Sequence, residues 1–397
     1  MIKLYIVANW MQGTALSGGD RIFIELSKRF SHELHTTLFV SSEGWEICKR
    51  EGLKEVDYQI WASDRFNRYG YFINYLYRTF ISIVNSLRVK IKKCDIVYSS
   101  SDFWPDSIAA FIIKLRNPEV KWVAAFYLFA PNPYQADSPY KGRKWLIGLF
   151  YWLTQLPIYW IVKRYADMVF VTSEPDMKKF ITKIRNSSRI LVIRGGVDLN
   201  PSEIYLNSGS DIHIEKRKYD ACFVGRFHYQ KGVIELVEIW RLVCQKKPGA
   251  KLAMIGVGPL EEEVNKKIDN LGLRDNIELM GFKNGEEKYD IFKQSKMILH
   301  PAMYDSGGMA AAEAMAWGLP GVSFDLEALR TYYPKGMIKT KCFDLQEFAD
   351  NIIELLTHNE LYNKLSKEAL GLVRKEWDWN VRAKNIYDAL MRSVLEK

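Results

Sequence analysis

Short runs of apolar, often β-branched residues alternate with amphipathic stretches along almost the whole chain. In the first half these runs predict strands at Lys3–Ala8, Thr37–Ser41, Asp95–Ser100, Trp122–Phe126, Met168–Thr172 and Ile190–Arg194. In the second half they predict strands at Ala221–Val224, Lys251–Ile255, Ile277–Met280, Met297–His300, Gly321–Phe324 and Gly336–Lys339. The amphipathic patterns predict helices, among them Arg21–Arg29, Ser107–Leu115, Val233–Gln245, Leu260–Leu271 and Met309–Trp317. Because parallel strands are buried on both faces, such near-continuous apolar runs indicate an α/β protein.

The alternation pauses over residues 200–218, where the sequence is polar and contains Pro, Ser and Gly. This pause predicts a linker at 201–218 between two Rossmann-like domains, at 1–200 and 219–376. Residues 377–397 are predicted to form a C-terminal helix that returns to the N-terminal domain, after a break at Trp377–Asn380. Two doubly wound domains would face each other across a cleft, where the carboxyl ends of their strands bind ligands.

Positive charge is concentrated in the first half of the chain. The net charge is +9, of which residues 1–200 contribute +10 and residues 201–397 contribute −1. A basic domain suits nucleic acid, an anionic membrane surface or a phosphorylated substrate. The sequence has no helix-turn-helix, zinc-finger or RNA-recognition motif, so we expect no nucleic-acid partner. Its five cysteines form no CxxC pair and it begins without a secretory signal, which predicts a cytoplasmic protein.

The segment FVGRFHYQKG joins a predicted strand to a predicted helix. Gly225 opens the turn, and Arg226 and Lys231 flank the loop before the helix. Two cations at a helix N-terminus suit a diphosphate, because backbone N–H groups, the helix dipole and charge-assisted hydrogen bonds all favour an anion. A solvated turn with two surface cations explains the same residues equally well.

The segment HPAMYDSGGMAAAEAMAWG repeats this strand–loop–helix layout. Asp305, Ser306, Gly307 and Gly308 form the loop, and Glu313 lies more than one turn inside an alanine-rich helix. Two acids around a glycine-rich helix start suit different hydroxyl groups of one extended ligand. Alternatively, Asp305 caps the helix and Glu313 is solvated. A lone carboxylate among small apolar residues is costly if it is buried without a partner, which favours a function for Glu313.

A third segment, MIGVGPLEEEV, carries Gly256 and Gly258 between a strand and a helix. It is a fragment of the GxGxxG fingerprint with Glu261 at the third glycine position, so it supports a nicotinamide dinucleotide only weakly. A glycine turn beside a nucleotide pocket is the better interpretation.

The GR…KG loop and the two acids with seven residues between them resemble motifs of the retaining glycosyltransferases of family 4. The resemblance is strongest over Tyr219–Glu376, and it matches the family's N-terminal glycine loop to Gly18 and Gly19 in SGGDRIFIELSKRF. The fold that it implies is the α/β GT-B fold, in which two doubly wound Rossmann-like domains face each other across a cleft.

The resemblance also implies roles for individual residues. Arg226 and Lys231 would neutralise the diphosphate of a sugar nucleotide, and Glu313 would bind the ribose hydroxyls. Asp305 and the backbone of Ser306–Met309 would hold the donor sugar. The first acid of the family motif is usually Glu, and Asp305 is one methylene shorter, which leaves the identity of the sugar open.

Gly18 and Gly19 would close over the donor phosphates from the other domain. The implied donor-binding residues are Gly18, Gly19, Gly225, Arg226, Lys231, Gly256, Gly258, Asp305, Ser306, Gly307, Gly308, Met309 and Glu313. The implied catalytic residues are Asp305, Glu313, Arg226 and Lys231. Many family members carry a His after a central strand of the first domain, but the stretch WVAAFYLFAPNPY has none and leaves Tyr127 or Asn132 for that place.

By this resemblance the protein is a glycosyltransferase of the hexosyltransferase type, which uses a nucleoside-diphosphate sugar and retains the anomeric configuration. No His, Asp or Cys cluster has metal-ligand spacing, so we expect no metal and no cofactor apart from the sugar-nucleotide substrate. Two alternatives stay open: another GT-B enzyme such as a sugar-nucleotide epimerase, and a non-catalytic membrane-bound protein that binds sugar nucleotides.

Two stretches of the first half favour a membrane partner. Leu146–Val162 carries no charge, contains Pro157 and has basic residues on both sides, which predicts a segment that lies on a membrane rather than crossing it. Arg65–Lys93 mixes aromatic and basic residues, as a basic amphipathic surface does. A buried helix and a solvated helix face are the respective alternatives.

These stretches, with the charge of the first half, predict a glycan acceptor that is lipid-linked or lies at an anionic membrane surface. Polysaccharide or glycolipid biosynthesis is the corresponding role. The expected location is cytoplasmic, peripheral to the inner face of the cell membrane.

Overall fold

The computed structural model describes the chain except for residues 1, 13–15, 31–32, 136–137, 139, 141, 143–144, 184, 194, 210–211, 305–308 and 396–397. The chain forms two compact units. The first contains Met1–Gly195 and Asn380–Lys397, and the second contains Gly196–Trp379.

In the described residues the first unit has a sheet of seven parallel strands. The strands are β1 (Lys3–Ala8), β2 (His35–Ser41), β3 (Asp57–Ala62), β4 (Ile96–Ser99), β5 (Lys121–Ala125), β6 (Met168–Val171) and β7 (Ile190–Val192). Their order is β3-β2-β1-β4-β5-β6-β7. The helices are α1 (Gly18–Phe30), α2 (Ser42–Arg50), α3 (Tyr71–Ser86), α4 (Trp104–Arg116), α5 (Trp145–Tyr165) and α6 (Glu174–Phe180). Short 3-10 helices occupy Asp64–Tyr69 and Ser187–Arg189.

The interior strands β4 and β6 of this sheet are buried along their whole length, as the apolar runs predicted. All four residues of β4 and of β6 are buried. Trp122, on β5, is fully buried and packs in one cluster with Ile113 of α4 and Val162 of α5. Burial of this apolar surface is the main stabilising term for such a layered core.

The second unit has six parallel strands in its described residues: β8 (Ala221–Val224), β9 (Leu252–Ile255), β10 (Ile277–Gly281), β11 (Ile298–His300), β12 (Gly321–Phe324) and β13 (Met337–Thr340). Their order is β10-β9-β8-β11-β12-β13. The helices are α7 (Asn200–Asn207), α8 (Val233–Lys246), α9 (Glu261–Asn270), α10 (Glu286–Lys293), α11 (Met309–Met315), α12 (Glu327–Tyr332), α13 (Leu345–Thr357) and α14 (Asn359–Glu376). Two more 3-10 helices lie at Ile214–Lys216 and Tyr229–Lys231.

Successive residues of the second sheet point into two different cores. Phe223 belongs to a cluster with Trp240 of α8, whereas its neighbour Cys222 belongs to a cluster with Met315 of α11 and with Trp377. Because side chains alternate along a strand, this sheet is covered by helices on both faces, as a doubly wound fold requires.

The predicted linker at 201–218 is wrong as a description of this segment. Residues 200–207 form α7, which belongs to the second unit, and the ring of Tyr205 lies 5.5 Å from that of Trp317. Pro201 stands in the first turn of α7, where its missing N–H would have no partner within the helix. The polar composition therefore belongs to a short surface helix, and the second unit begins at Gly196, before the predicted start at 219.

The last helix, α15, spans Trp379–Leu395. From Asn380 onward it belongs to the first unit, so the chain passes between the units at Gly195–Gly196 and again at Trp379–Asn380. Within the first unit, Arg29 Nε donates to Asn380 Oδ1 at 3.0 Å.

Candidate functional site

The loops that follow β8 and β9 are packed against each other through glycine. The N–H of Gly225 donates to the carbonyl of Ile255 at 3.0 Å, and that of Phe227 donates to Val257 at 3.0 Å. A Cβ at Gly256 would lie 1.9 Å from the carbonyl oxygen of Gly225, and the φ angle of Gly256 is +144°. Only glycine fits there, so the packing of the two loops is sufficient to explain why glycine occupies this position. A direct contact with a nucleotide stays a prediction.

No residue with a Cβ fits at Gly258, for a similar reason. A Cβ there would lie 2.5 Å from the carbonyl oxygen of Phe227. The two glycines thus bring the loop after β9 into backbone contact with the loop that carries Arg226 and Lys231.

Arg226 and Lys231 lie in the short connection from β8 to α8. Arg226 is exposed, and Lys231 is half-buried at the end of the 3-10 helix Tyr229–Lys231. Gly232 precedes α8 with φ +62°, and a Cβ on it would lie 2.0 Å from the carbonyl oxygen of Pro301. The two predicted phosphate-binding cations therefore lie on one turn that leads directly into a helix N-terminus.

The loop after β11 joins the same turn. Besides the close approach of Pro301 to Gly232, the N–H of Met303 donates to the carbonyl of Gln230 at 3.0 Å. The predicted residues Asp305, Ser306, Gly307 and Gly308 lie outside the described residues. Met309 begins α11, which the loop after β11 leads into.

Glu313 is not a lone carboxylate. On α11, its Oε2 accepts a hydrogen bond from Nζ of Lys288 on α10 at 2.7 Å. The side chains of Lys288 and Glu313 are only 7% and 14% exposed, respectively. The premise that Glu313 would be buried without a partner is therefore wrong, because a cation accompanies it. This pairing gives the carboxylate a structural role and holds one of its oxygens in place.

No motif in the sequence points to Lys288, but its position on the apolar face of α10 does. The buried residues of α10 are Lys288, Ile291 and Phe292, at the i, i+3, i+4 spacing of one helix face. A lysine on the apolar face of a helix calls for an acid among the elements that pack on it.

The predicted glycine loop of the first unit lies at the start of α1, which begins at Gly18. A Cβ at Gly19 would lie 2.9 Å from the ring of Tyr127, so a larger residue would press on that ring. The hydroxyl of Tyr127 lies 2.5 Å from that of Tyr98. Asn132 caps a local turn, where its Oδ1 accepts from the N–H of Tyr134 at 3.0 Å.

Two buried acids that no family motif points to follow β4. Asp106 Oδ1 accepts from the N–H of Trp10 at 3.0 Å, and its Oδ2 accepts from Ser101 Oγ. Burial raises the pKa of Asp106 to about 7, against the lowering effect of these hydrogen bonds. Burial likewise raises the pKa of Asp102 to about 6, although Gln155 Nε2 donates to it at 2.7 Å. The signal was SSSDFWPD, two acids directly behind a strand at the sheet edge that binds ligands.

In the part of the chain that the structure describes, no group of three or more His, Cys, Asp or Glu side chains is arranged to hold a metal ion. His300, at the end of β11, is 3% exposed.

Residues 210–371, which contain these second-unit loops, match the model of the family described as glycosyl transferases group 1. The chain is a glycosyltransferase whose match to the group 1 model covers residues 210–371, less than half of its length. The enzyme is 22% identical over 400 residues to a mannosylfructose-phosphate synthase of Agrobacterium fabrum, a match that covers 94% of this chain and 86% of that protein.

Two shorter matches each cover less than half of this chain. The enzyme is 28% identical over 166 residues to an uncharacterised glycosyltransferase of Methanocaldococcus jannaschii, covering 40% of this chain and 42% of that protein. It is 24% identical over 168 residues to a poly(glycerol-phosphate) α-glucosyltransferase of Bacillus subtilis, covering 41% and 24%. The chain thus spans less than half the length of these two relatives.

Solved structures establish the fold class. HepE of Anabaena, in complex with UDP and glucose, superposes with a TM-score of 0.72 at 13% identity, covering 98% of this chain and all of that one. TarM of S. aureus, in complex with fondaparinux, α-GlcNAc-glycerol and UDP, superposes with a TM-score of 0.73 at 11% identity, and both chains are fully covered. The predicted GT-B fold is confirmed.

Proposed function

We propose that this glycosyltransferase moves a hexosyl group from a nucleoside-diphosphate sugar to a hydroxyl of a lipid-linked or membrane-surface glycan, with retention of the anomeric configuration. The observation that carries the proposal is that the loops after β9 and β11 both contact the turn after β8, which holds Arg226 and Lys231. Solved neighbours in complex with UDP support a nucleotide donor.

The donor diphosphate is proposed to bind at the start of α8. The first N–H groups of a helix have no partner within it and point along the axis, so an anion placed there receives several hydrogen bonds. Arg226 and Lys231 add charge-assisted hydrogen bonds, each worth about 1.5–3 kcal/mol. Gly225, Gly256 and Gly258 keep side chains out of the backbone contacts that shape this turn.

Glu313 is proposed to bind the ribose hydroxyls with its carboxylate, which Lys288 orients. Asp305, Ser306, Gly307, Gly308 and Met309 are proposed to hold the sugar ahead of α11. Gly18 and Gly19 of the first unit are proposed to contact the phosphates.

The proposed reaction breaks the bond between the anomeric carbon and the β-phosphate oxygen. The acceptor oxygen bonds to the anomeric carbon on the face that the phosphate leaves, and the departing phosphate oxygen takes the acceptor proton. The transition state resembles an oxocarbenium ion beside a diphosphate that gains negative charge. Arg226, Lys231 and the start of α8 stabilise that charge, and this proposal requires no metal ion.

The proposed acceptor and location rest on charge and on one relative. The first 200 residues carry the entire positive excess of the chain, and a relative is named for glucosylation of poly(glycerol-phosphate), an anionic polymer. Both features favour an acceptor in an anionic setting. We place the enzyme at the cytoplasmic face of the cell membrane, in polysaccharide or glycolipid biosynthesis.

A panel of sugar nucleotides tests the proposal. The preferred donor should raise the melting temperature, because at about 100 times Kd a ligand stabilises the folded state by about 2.7 kcal/mol. Nucleoside diphosphate should then be released faster when an acceptor extract is added. Turnover of the donor without any acceptor would instead indicate an epimerase, and the absence of stabilisation by every sugar nucleotide would contradict the proposed donor class.

A further inference from the structure

Helix α3 presents a stripe of apolar side chains to solvent. Ile73, Leu76, Phe80 and Leu87 follow one another at helical spacing, and Leu76 and Phe80 are 59% and 63% exposed. The opposite side of the helix is packed, with Tyr75 buried at 1% exposure. An apolar stripe of this length costs solvation free energy unless something covers it.

Helix α5 carries a second stripe of the same kind. Leu146, Leu153, Leu156 and Trp160 recur at intervals of seven, three and four residues, and Leu146 and Trp160 are 66% and 64% exposed. This helix is long and apolar enough to cross a membrane, yet Gly148, Gln155, Ile158 and Val162 are buried in the fold. Its inner residues Ile158 and Val162 belong to the core of the first unit, so a helix that crossed a bilayer would have to leave that core. The helix therefore uses its outer face alone.

The two stripes are neighbours. Phe72 of α3 and Phe150 of α5 lie edge to face with ring centroids 4.7 Å apart, and Tyr71 also approaches Phe150 at 6.2 Å. Both helices also contact α4. We call the exposed side of this pair the α3–α5 face, formed by Ile73, Leu76, Phe80, Leu146, Leu153, Leu156 and Trp160.

Basic residues surround the α3–α5 face, and acidic residues are missing from its sequence. Residues 65–94 and 138–166 contain no Asp or Glu. Arg65, Arg88 and Arg164 are exposed, and within the described residues none of them forms an ion pair. Arg78 is the exception, since it is fully buried and binds Glu43 at 2.9 Å, so it does not contribute to a basic surface as the sequence suggested.

We propose that the α3–α5 face lies on an anionic lipid bilayer, with the apolar stripe in the boundary between headgroups and acyl chains and the arginines on the phosphates. This inference rests on the proposed function and deepens it by naming the membrane-binding surface. An apolar band on two helices that contain no acid and have arginines at their ends matches a bilayer interface, where aromatic rings and arginines both find partners. A protein partner of ordinary composition would instead be expected to meet mixed charges at the rim.

The same helix connects this face to the carboxyl edge of the first sheet. Gln155, buried on the inner side of α5, donates to the carbonyl of Leu128 at 2.7 Å and accepts from the N–H of Ala130 at 2.8 Å. It also donates to Asp102. Docking of α5 would therefore place the loops after β4 and β5 at a fixed height above the lipid, where the head of a lipid-linked acceptor lies.

Vesicle co-sedimentation of the full-length enzyme tests the α3–α5 face. The probes are phosphatidylcholine vesicles with and without phosphatidylglycerol, an anionic lipid that gives the surface a negative potential. The wild type should bind the anionic vesicles, more weakly at high salt. The Leu76→Glu/Leu153→Glu double variant should lose at least about tenfold in partitioning, because two charges would enter the apolar boundary. Ile204→Glu, on α7 of the second unit and 73% exposed in the wild type, is the matched control and should bind as the wild type does.

Three results would overturn the proposal. They are equal vesicle binding by the double variant and the wild type, equal loss in Ile204→Glu, or a lipid-free dimer that the double variant dissociates, which would assign the face to a second copy. Donor-induced thermal stabilisation, measured on the same proteins, separates the two proposals. If a sugar nucleotide stabilises all variants while vesicles bind none, the membrane face fails and the proposed transfer from a sugar nucleotide stands.

Discussion

The two units share one strand order but differ in the chemistry of their helices. Both sheets run 3-2-1-4-5-6 when their strands are numbered within each unit, and the first sheet adds β7 at its edge. The outer helices of the second unit carry surface ion pairs, such as Lys246–Asp350 and Arg274–Asp269. In the first unit, α3 and α5 contain no acid and expose apolar stripes instead.

The difference shows that one architecture can be specialised by what stands on its outer layer and on its loops. In the second unit the specialised residues lie in close-packed, glycine-dependent loops, where the backbone itself shapes the candidate site. In the first unit they lie on helix surfaces and at the two buried acids Asp102 and Asp106. Variants should therefore affect the two units in different ways. Loop variants of the second unit should act through steric clashes and lost charge, whereas variants of the first unit should change the pH dependence of stability and the binding to membranes.

The largest effect is expected for Gly232→Ala, which tests whether the second unit depends on its loop backbone. The new Cβ would meet the carbonyl of Pro301 at 2.0 Å in a left-handed conformation. We expect a loss of more than about 4 kcal/mol of stability in the second unit. Gly249→Ala is the matched control, since a Cβ there meets nothing within 4 Å, and both are compared by urea denaturation. Similar midpoints for the two variants would show that the loop is free to rearrange.

Lys231→Ala should reduce transfer by about 100- to 1,000-fold, because it removes a charge that we propose faces the leaving diphosphate. The loss should appear in steady-state kinetics with the donor from the panel. Lys266→Ala is the control, since that lysine is 70% exposed in a surface pair with Glu262. Intact transfer in Lys231→Ala would move the diphosphate site elsewhere.

Lys288→Met should destabilise the second unit by about 3 kcal/mol, because it leaves the carboxylate of Glu313 buried without its cation. Adding Glu313→Gln should restore most of that stability, as a double-mutant cycle of melting curves would reveal. Lys283→Met removes an exposed pair with Glu287 and should cost no more than about 1 kcal/mol. Equal effects of the two lysine variants would mean that the pair is not effectively buried.

Asp106→Asn should change how the stability of the first unit depends on pH. The pH dependence that Asp106 confers has the opposite sign to that of an acid held in an ion pair. Because burial raises the pKa of Asp106 to about 7, the native state holds a proton that the unfolded state releases near pH 4, and stability falls as pH rises between them. From pH 5 to pH 7 the wild type should lose on the order of 2 kcal/mol relative to the variant.

Asp102→Asn provides the comparison for this pH effect. The pKa of Asp102 is raised to about 6, so the difference between this variant and the wild type should level off about one pH unit lower. Melting temperatures at pH 5 to 8 measure both. Parallel curves for the wild type and both variants would contradict the raised pKa values.

The sequence predicted elements well wherever apolar runs are buried on both sides. The strands Lys3–Ala8, Ala221–Val224 and Gly321–Phe324 begin and end where the pattern placed them. Strand β3 was missed because DYQIWA lies at the sheet edge, pairs only with β2 and leaves Asp57 exposed, so no apolar run marks it. The polar surface of α7 is likewise the reason why the sequence pattern predicts a linker there.

The candidate site was predicted where local motifs carry it and was missed where distant residues pair. The turn with Arg226 and Lys231 is contiguous in sequence, so its layout could be inferred. The partner of Glu313 lies 25 positions away on another helix, and no local pattern names it. Asp106 likewise accepts from the N–H of Trp10 in the segment after β1, 96 positions away, and such contacts depend on the tertiary fold.

The most direct test of the central claim is a set of binding measurements by titration calorimetry with three nucleotides. These are the nucleoside diphosphate of the preferred donor, its monophosphate and its 2′-deoxy form. In the wild type, loss of the β-phosphate or of the hydroxyl should each weaken binding by about tenfold or more. Lys231→Ala should no longer distinguish diphosphate from monophosphate, and Lys288→Met/Glu313→Gln should no longer distinguish ribose from deoxyribose. If both variants keep both distinctions, the turn before α8 and the carboxylate on α11 do not bind the donor.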